Sequence, residues 1–353
     1  MTKPQKSAHS LAQLAEHGLI PADRQDALAP IAARYAIAVT APMLDLIDPD
    51  DREDPIARQF IPSEAEGHAS ALELDDPVGD HAFSPCAGIV HRYPDRALLK
   101  LVAICPVYCR FCFRREMVGP DKGEGLSAEQ LAQAIAYLAD TPSIWEVVVT
   151  GGDPLILSPR RLRQVVESLA QIPHIKTIRW HSRVPVVSPD HITPDLARAL
   201  AASGKANWVA IHANHPREFT PAFARACGIL RDAGIGLLSQ TVLLRGINDT
   251  TATLVALMRG FVEHGIRPYY LHHPDLAPGT GHFRLGLSEG KALVEGLRGH
   301  LSGLAQPTYV LDIPGGHGKV TVLSDAVTIL SADSASVRDR HGIVHAYPPL
   351  GAS

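Results

Sequence analysis

Cysteine is scarce in this chain, five residues in 353, and the count is odd. That count, with an opening stretch MTKPQKSAHS that has neither an apolar core nor a cleavage signal, makes a disulfide framework unexpected and a reduced, cytoplasmic setting the expectation. No apolar run of about eighteen residues exists, and a membrane-spanning helix is not expected. Basic residues do not exceed acidic ones: 33 Lys and Arg stand against 37 Asp and Glu, for a net charge of −4, which lacks the electrostatic footprint of a nucleic-acid binder. Repeats and low-complexity tracts are missing too. What remains is a chain long enough to bury a large core and suited to a small-molecule partner.

Three of the five cysteines sit in one run, ICPVYCRFCFRRE, at Cys105, Cys109 and Cys112. A zinc site normally takes four ligands from paired arms, and no second arm exists, since Cys86 and Cys227 stand alone and read as small apolar residues. Three thiolates can instead hold three corners of a four-iron cluster. The fourth iron is then open to a small molecule, whereas a purely electron-carrying cluster is usually closed by four cysteines.

From about residue 98 short β-branched and apolar runs alternate with longer amphipathic ones. The strands are LLKLVAI, WEVVVT, TIRWHSR, NWVAIHA, GLLSQTVLL and RPYYLHH, and helices begin near Ser127, Ser158, Thr193, Arg217, Asp249 and Ser288. This alternation predicts βα units around a parallel sheet, too few of them for a closed eight-stranded barrel. Upstream, residues 8–17 and 22–35 carry Leu11, Leu14, Leu28 and Ile31 at helical spacing, with Pro21 opening the second segment. The acidic stretch APMLDLIDPDDREDPIARQFIPSEAE reads as an irregular connector. The tail from Thr308, with TYVLD, KVTVL and VTIL, reads as a small β addition over the barrel mouth. The expected division is 1–75, 76–285 and 286–353.

The CxxxCxxC spacing, with Phe111 before the third cysteine, resembles the radical S-adenosylmethionine (SAM) enzymes. IVHRYPDRALLKLVAICPVYCRFCFRRE, TGGDPLI at 150–156, HSRVPVV from His181, QTVLLRGIND from Gln240 and DIPGGHGK from Asp312 carry the resemblance to the lysine 2,3-aminomutase branch, from about residue 75 to the C-terminus. It implies an α/β fold: an open six-stranded (β/α)6 partial barrel with an N-terminal helical cap and a small C-terminal β extension. The implied activity is an isomerase moving the α-amino group of L-lysine to the β-carbon. Its cofactors would be a [4Fe-4S] cluster, SAM and pyridoxal 5′-phosphate (PLP), with a reductant such as flavodoxin or ferredoxin, in a homo-oligomer. Other substrates stay open: a protein-bound lysine of elongation factor P, arginine, ornithine or glutamate. A rival of another class is a non-catalytic iron–sulfur protein. Clostridial-type members carry a further cysteine-rich segment that binds zinc between subunits; this chain ends at HAYPPLGAS, so zinc-linked assembly is not expected.

Ligands in parallel α/β folds gather beyond the carboxyl ends of the strands, and the motifs fall there. The resemblance makes Cys105, Cys109 and Cys112 the iron ligands. Gly151 and Gly152, which lack a Cβ, would let the backbone approach SAM, with Asp153, Ser182 and Arg183 in the same site. His212 and Gln240 would line the adenosyl or pyridoxal side. Lys319 matches the PLP lysine, where a desolvated amine loses its proton and becomes nucleophilic. Arg92, Tyr93 and Arg96 would supply donors to the cofactor phosphate, and Arg114 would clamp the substrate carboxylate. Asp275 and Asp312 match positions that hold the distal ammonium of lysine, since two carboxylates facing one cavity call for a cation. The elongation-factor relative lacks the Asp of the DxPGG turn, which Asp312 provides here. His317 departs from the four successive glycines common in clostridial-type members and is expected to narrow the pocket.

Overall fold

The N-terminal segment folds as small helices, α1 (Leu11–Glu16) and α2 (Gln25–Arg34), followed by the single turns α3 (Ala41–Leu44) and α4 (Ala57–Phe60). In the computed structural model, which describes residues 6–68, 70–123 and 125–349, the main sheet starts with a hairpin. There β1 (Ile89–Tyr93) pairs antiparallel with β2 (Arg96–Val102). The order then runs in sequence and parallel through β3 (Glu146–Gly151), β4 (Thr177–Ser182), β5 (Ala206–His212), β6 (Gly236–Val242), β7 (Arg267–His272) and β8 (Thr308–Ile313). Last, β9 (Gly318–Thr321) pairs antiparallel with β8, completing a nine-stranded partial barrel.

The strands are legible because parallel strands covered on both faces become continuous apolar runs; Val147, Val148 and Val149 of β3 are all buried. The helices α5 (Ala128–Ala139), α6 (Pro159–Ala170), α7 (Val184–Val187), α8 (Pro194–Ala201), α9 (Pro221–Asp232), α10 (Thr251–Glu263) and α11 (Leu287–Gly296) follow. Five start at a hydroxyl cap: Ser127, Ser158, Thr193, Thr220 and Thr250 accept the backbone N–H of Gln130, Arg161, Leu196, Phe223 and Thr253. Each such cap is worth about 1 kcal/mol. On α6 the residues Leu162, Val165, Val166 and Leu169, spaced i, i+3, i+4, i+7, are fully buried. That stripe contributes roughly 1.5–3 kcal/mol per side chain, and a charge at Val165 would undo it.

The six strands expected of the barrel are β2 to β7. The sheet extends beyond them, because TYVLD forms β8 on the edge of β7, with Tyr270, Leu271 and His272 opposite Thr308, Tyr309 and Val310. Tyr309, Val310 and Leu311 are all buried, and an apolar strand of that kind must pair with the open edge. VTIL lies in a separate three-stranded sheet of β10 (Val327–Ile329), β11 (Ala335–Arg338) and β12 (Val344–Tyr347).

The acidic stretch 41–66 is irregular apart from α3, α4 and a turn at its end, and it is anchored in the interior. Asp54, Gln59 and Glu66 are buried in it. Asp54 caps α4 by accepting the N–H of Ile56 and Ala57, and its other oxygen pairs with Arg217 at 2.7 Å. Glu66 receives Arg110 at 2.6 Å and also Arg115. Burial opposes its charge, but the two guanidiniums win and its pKa falls. Among the described residues no helix is long and apolar enough to cross a membrane.

Candidate active site

The loop after β2 carries all three clustered cysteines, and the N-terminal segment fixes its path. Tyr108 N–H donates to Ala38 O, Arg110 N–H donates to Gln59 O, and Glu66 anchors the guanidiniums flanking Cys112. Burial raises the pKa of all three thiols, most strongly with the help of Asp153 and the other cysteines at Cys105, and to about 11 at Cys112. Thiols buried together in this way ionise only where a cation offsets the charge. Cys109 already has one neighbour of that sign: Arg183 Nη1 donates to its sulfur at 2.9 Å.

Across the mouth of the sheet, Gly151 and Gly152 approach the cysteine loop, and the physical reason expected for them changes accordingly. A Cβ on Gly151, whose φ is +127°, would lie 2.3 Å from Val102 O, and one on Gly152 would lie 2.2 Å from Ile104 O. The glycines let the end of β3 seat against the chain leading into Cys105. Asp153 N–H donates to Ile104 O at 2.9 Å, while its carboxylate accepts Ser182 Oγ–H at 2.7 Å and Arg183 N–H at 2.6 Å. Ser182 and Asp153 therefore orient Arg183, whose guanidinium also reaches Gln59 and Glu218.

A cavity, open at its mouth, lies over the carboxyl ends of the strands, with Arg92, Tyr93, Arg96, Arg114, His212, Gln240, Asp275, Asp312 and Lys319 in its wall. The structure thus brings the expected pyridoxal and substrate residues to one space. His212 and Gln240 face each other across β5 and β6. Burial, then the charge of Arg183, lowers His212 to about 3, so it is a neutral imidazole. Arg114 also lies within electrostatic reach of Cys105, Cys112 and Asp275, linking the cysteine loop to the cavity.

Asp80 is the residue sequence reasoning missed. Its carboxylate, 1% exposed, bridges Arg92 at 2.8 Å and Arg114 at 3.1 Å. Burial opposes its ionisation, but those guanidiniums hold its pKa low. Both arginines keep a buried Nε without a hydrogen-bond partner among the described residues. Arg96 stacks on the Tyr93 ring at 3.8 Å and pairs with Asp95. Arg179 was missed as well: it lines the cavity, bonds Glu146 at 2.8 Å and touches His181 at 2.8 Å. An Asp after Gly79 and an Arg inside a strand carry no local signal of a site.

Lys319 stands opposite Asp312 in the β8–β9 ladder. Its Nζ donates to both Asp312 oxygens at 2.7 Å, and its backbone N–H donates to Tyr93 Oη at 2.7 Å. Burial by itself would lower the amine's pKa, yet the charge and hydrogen bonds of Asp312 prevail and the shift is upward. The expected deprotonation by desolvation is thus reversed in this arrangement, because a carboxylate was placed beside the amine. Asp312 is correspondingly held low, burial notwithstanding, with His272 Nδ1 3.6 Å from it. Asp275 behaves oppositely: burial, then the charge of Asp312, push its carboxyl up to about 8.

Residues 99–258 match the Radical SAM superfamily, and residues 294–350 match Lysine-2,3-aminomutase. The chain is 39% identical to the L-lysine 2,3-aminomutase of Clostridium subterminale, over 92% of this chain and 78% of that protein. It is 41% identical to that of Fusobacterium nucleatum, over 88% and 73% of the two chains. It is also 33% identical to the glutamate 2,3-aminomutase of Clostridioides difficile, over 89% and 74%. A radical SAM domain carries a [4Fe-4S] cluster and SAM, and the aminomutases of this type use PLP. The residues present fit all three. Cys105, Cys109 and Cys112 sit on one loop close enough to affect one another's ionisation, a soft three-sulfur donor set of the kind that holds an iron–sulfur cluster. The unpartnered Nε atoms of Arg92 and Arg114 suit anionic groups in the cavity that Lys319 enters. Long matches at this identity, on a cavity built from these residues, mean that the chain belongs to the lysine 2,3-aminomutase family of radical SAM isomerases, with a [4Fe-4S] cluster, SAM and PLP as its cofactors.

Proposed function

We propose that this aminomutase acts on free L-lysine and forms β-lysine. The observation that carries the reading is the pair Asp275 and Asp312 on one cavity wall, with the ammonium of Lys319 resting on Asp312. When bound, the cluster and SAM supply a hydrogen-abstracting radical, and PLP supplies the carbonyl and electron sink for nitrogen migration. To engage the cofactor, Lys319 must leave Asp312. Its departure leaves two acids facing each other without a cation, and the distal ammonium of lysine replaces the lost charge. Arg114, anchored by Asp80 and by Thr150 at 3.3 Å, presents its guanidinium to the substrate carboxylate. Arg92, Tyr93 and Arg96 take the cofactor phosphate, and Val90, Leu98, Val148 and Val242 keep that part of the cavity apolar. The glutamate side chain would set a third carboxylate against Asp275 and Asp312, and is disfavoured. The cysteines hold the cluster, Gly151, Gly152 and Asp153 shape the SAM side with Ser182 and Arg183, and His212 and Gln240 border it. The setting is cytoplasmic, the chain a homo-oligomer and the reductant a flavodoxin or ferredoxin.

The test is an anaerobic assay of cluster-loaded protein with SAM, PLP and a reductant, given lysine, glutamate, arginine and ornithine separately, with products resolved by chromatography. Lysine should be converted fastest. Faster conversion of glutamate, or conversion of a lysine on elongation factor P and of no free amino acid, would refute the assignment.

A further inference from the structure

We propose that His317, Asp339 and His345 bind a divalent transition-metal ion of the zinc class, tying the turn that carries Lys319 to the C-terminal sheet. Their ligand atoms all lie within 4.8 Å of one another, the only such group among the described residues. His317 belongs to the glycine turn between β8 and β9, Asp339 follows β11, and His345 lies on β12 opposite Val337.

An aspartate–histidine contact at a hairpin turn would by itself account for two of the three. Asp339, with its side chain 2% exposed, accepts His341 N–H at 2.8 Å and Ile343 N–H at 2.9 Å on Oδ1, and its Oδ2 lies 3.0 Å from His345 Nε2. That reading leaves His317 out. Its ring is delivered by a turn in which Gly315, Gly316 and Gly318 have φ of +81°, +84° and +94°, and it stacks on His345 with centroids 4.0 Å apart. Tetrahedral N/O ligands at 2.0–2.2 Å stand about 3.3 Å apart, so a small rotation of the exposed His317 ring toward Asp339 and His345 completes the geometry. Two imidazoles and one carboxylate suit zinc and exclude the all-oxygen preference of calcium or magnesium, and three protein ligands leave one position for water. The backbone donors on Asp339 Oδ1 supply the outer support that metal-binding carboxylates usually have.

The consequence is positional. Arg340, beside Asp339, donates to Arg92 O at 2.9 Å and lies 4.8 Å over the Tyr93 ring, while Tyr93 Oη receives the Lys319 N–H. A bound ion would join this hairpin to the lysine turn from the other side. The ligands are none of the cysteines, and the site stands or falls independently of the substrate.

The experiment uses the full, cluster-loaded chain, incubated anaerobically with zinc chloride and desalted. About one zinc per chain should remain, and its X-ray absorption should show a nitrogen and oxygen shell with imidazole scattering and no sulfur near 2.3 Å. Zinc should raise the melting temperature. His317→Gln, at an exposed position, should keep the zinc-free melting temperature, lose that rise and retain about tenfold less zinc; His345→Gln should do the same to retention. Retention below about a tenth of an equivalent, sulfur ligation, or unchanged retention in His317→Gln would overturn the proposal.

Discussion

Raising the pH from 7 to 9 should tighten the binding of 6-aminohexanoate, which is lysine without its α-amino group, about tenfold. The cause is Asp275, whose carboxyl is pushed up to about 8 by burial and then by Asp312. At pH 7 about nine in ten copies carry a proton. An ammonium entering beside Asp312 gains a second carboxylate only if that proton leaves. A pKa that is high in the free protein and lowered by a bound cation means proton release on binding, so affinity climbs with pH up to about 8 and levels off above. The ligand's own ammonium titrates near ~10.4 and stays charged throughout. Asp275→Asn should flatten this profile and cost about 1.5–3 kcal/mol, the worth of one hydrogen bond to a charged group, or roughly tenfold to a hundredfold in affinity. Calorimetry on anaerobic, PLP-loaded protein in two buffers of different ionisation enthalpy counts the protons. A pH-independent affinity with no proton released, or adipate binding as tightly as 6-aminohexanoate, would refute the reasoning. Without ligand the same carboxyl works against the fold. A value raised on folding costs stability increasingly from ~3.9, its unfolded value, up to about 8, so Asp275→Asn should raise the melting temperature more at pH 9 than at pH 5.

Lys319→Ala should keep the cluster's visible absorbance yet neither retain PLP nor turn over; product formation by that variant would remove the lysine from the mechanism. Asp80→Asn should weaken PLP binding while leaving iron content unchanged, because Arg92 and Arg114 lose their shared anchor; unaltered PLP affinity would count against the bridge. Glu66→Ala leaves two buried guanidiniums unpaired and should cost about 3–5 kcal/mol in denaturant titrations, with iron lost from the loop it holds. Since Glu66 is lowered on folding, its contribution is present above ~4.3 and fades as pH falls through its folded value, so wild type and variant should converge in strong acid. Gly152→Ala places a Cβ 2.2 Å from Ile104 O and should displace the cysteine loop, read as reduced iron per chain.

The amino-acid sequence alone determined what is local. Three thiols within eight residues, helix starts at Ser127, Ser158 and Thr193, six apolar runs of strand length and a glycine turn before Lys319 each follow from chemistry between near neighbours and are found where expected, whereas the start expected near Arg217 lies at Thr220. The tertiary structure decided what depends on partners far along the chain. Asp80 meets Arg114 from 34 positions away and Tyr93 meets Lys319 from 226, separations that carry no periodic pattern. Glu66 ends a stretch that reads as an irregular connector until the fold sets Arg110 and Arg115 around it. The glycines at the end of β3 were legible as a close approach, but only the fold shows that the approaching group is the cysteine loop. The clearest case is the charge on Lys319. Burial and a facing carboxylate push an amine in opposite directions, and which prevails is set by a 2.7 Å contact that exists only once β8 and β9 have paired.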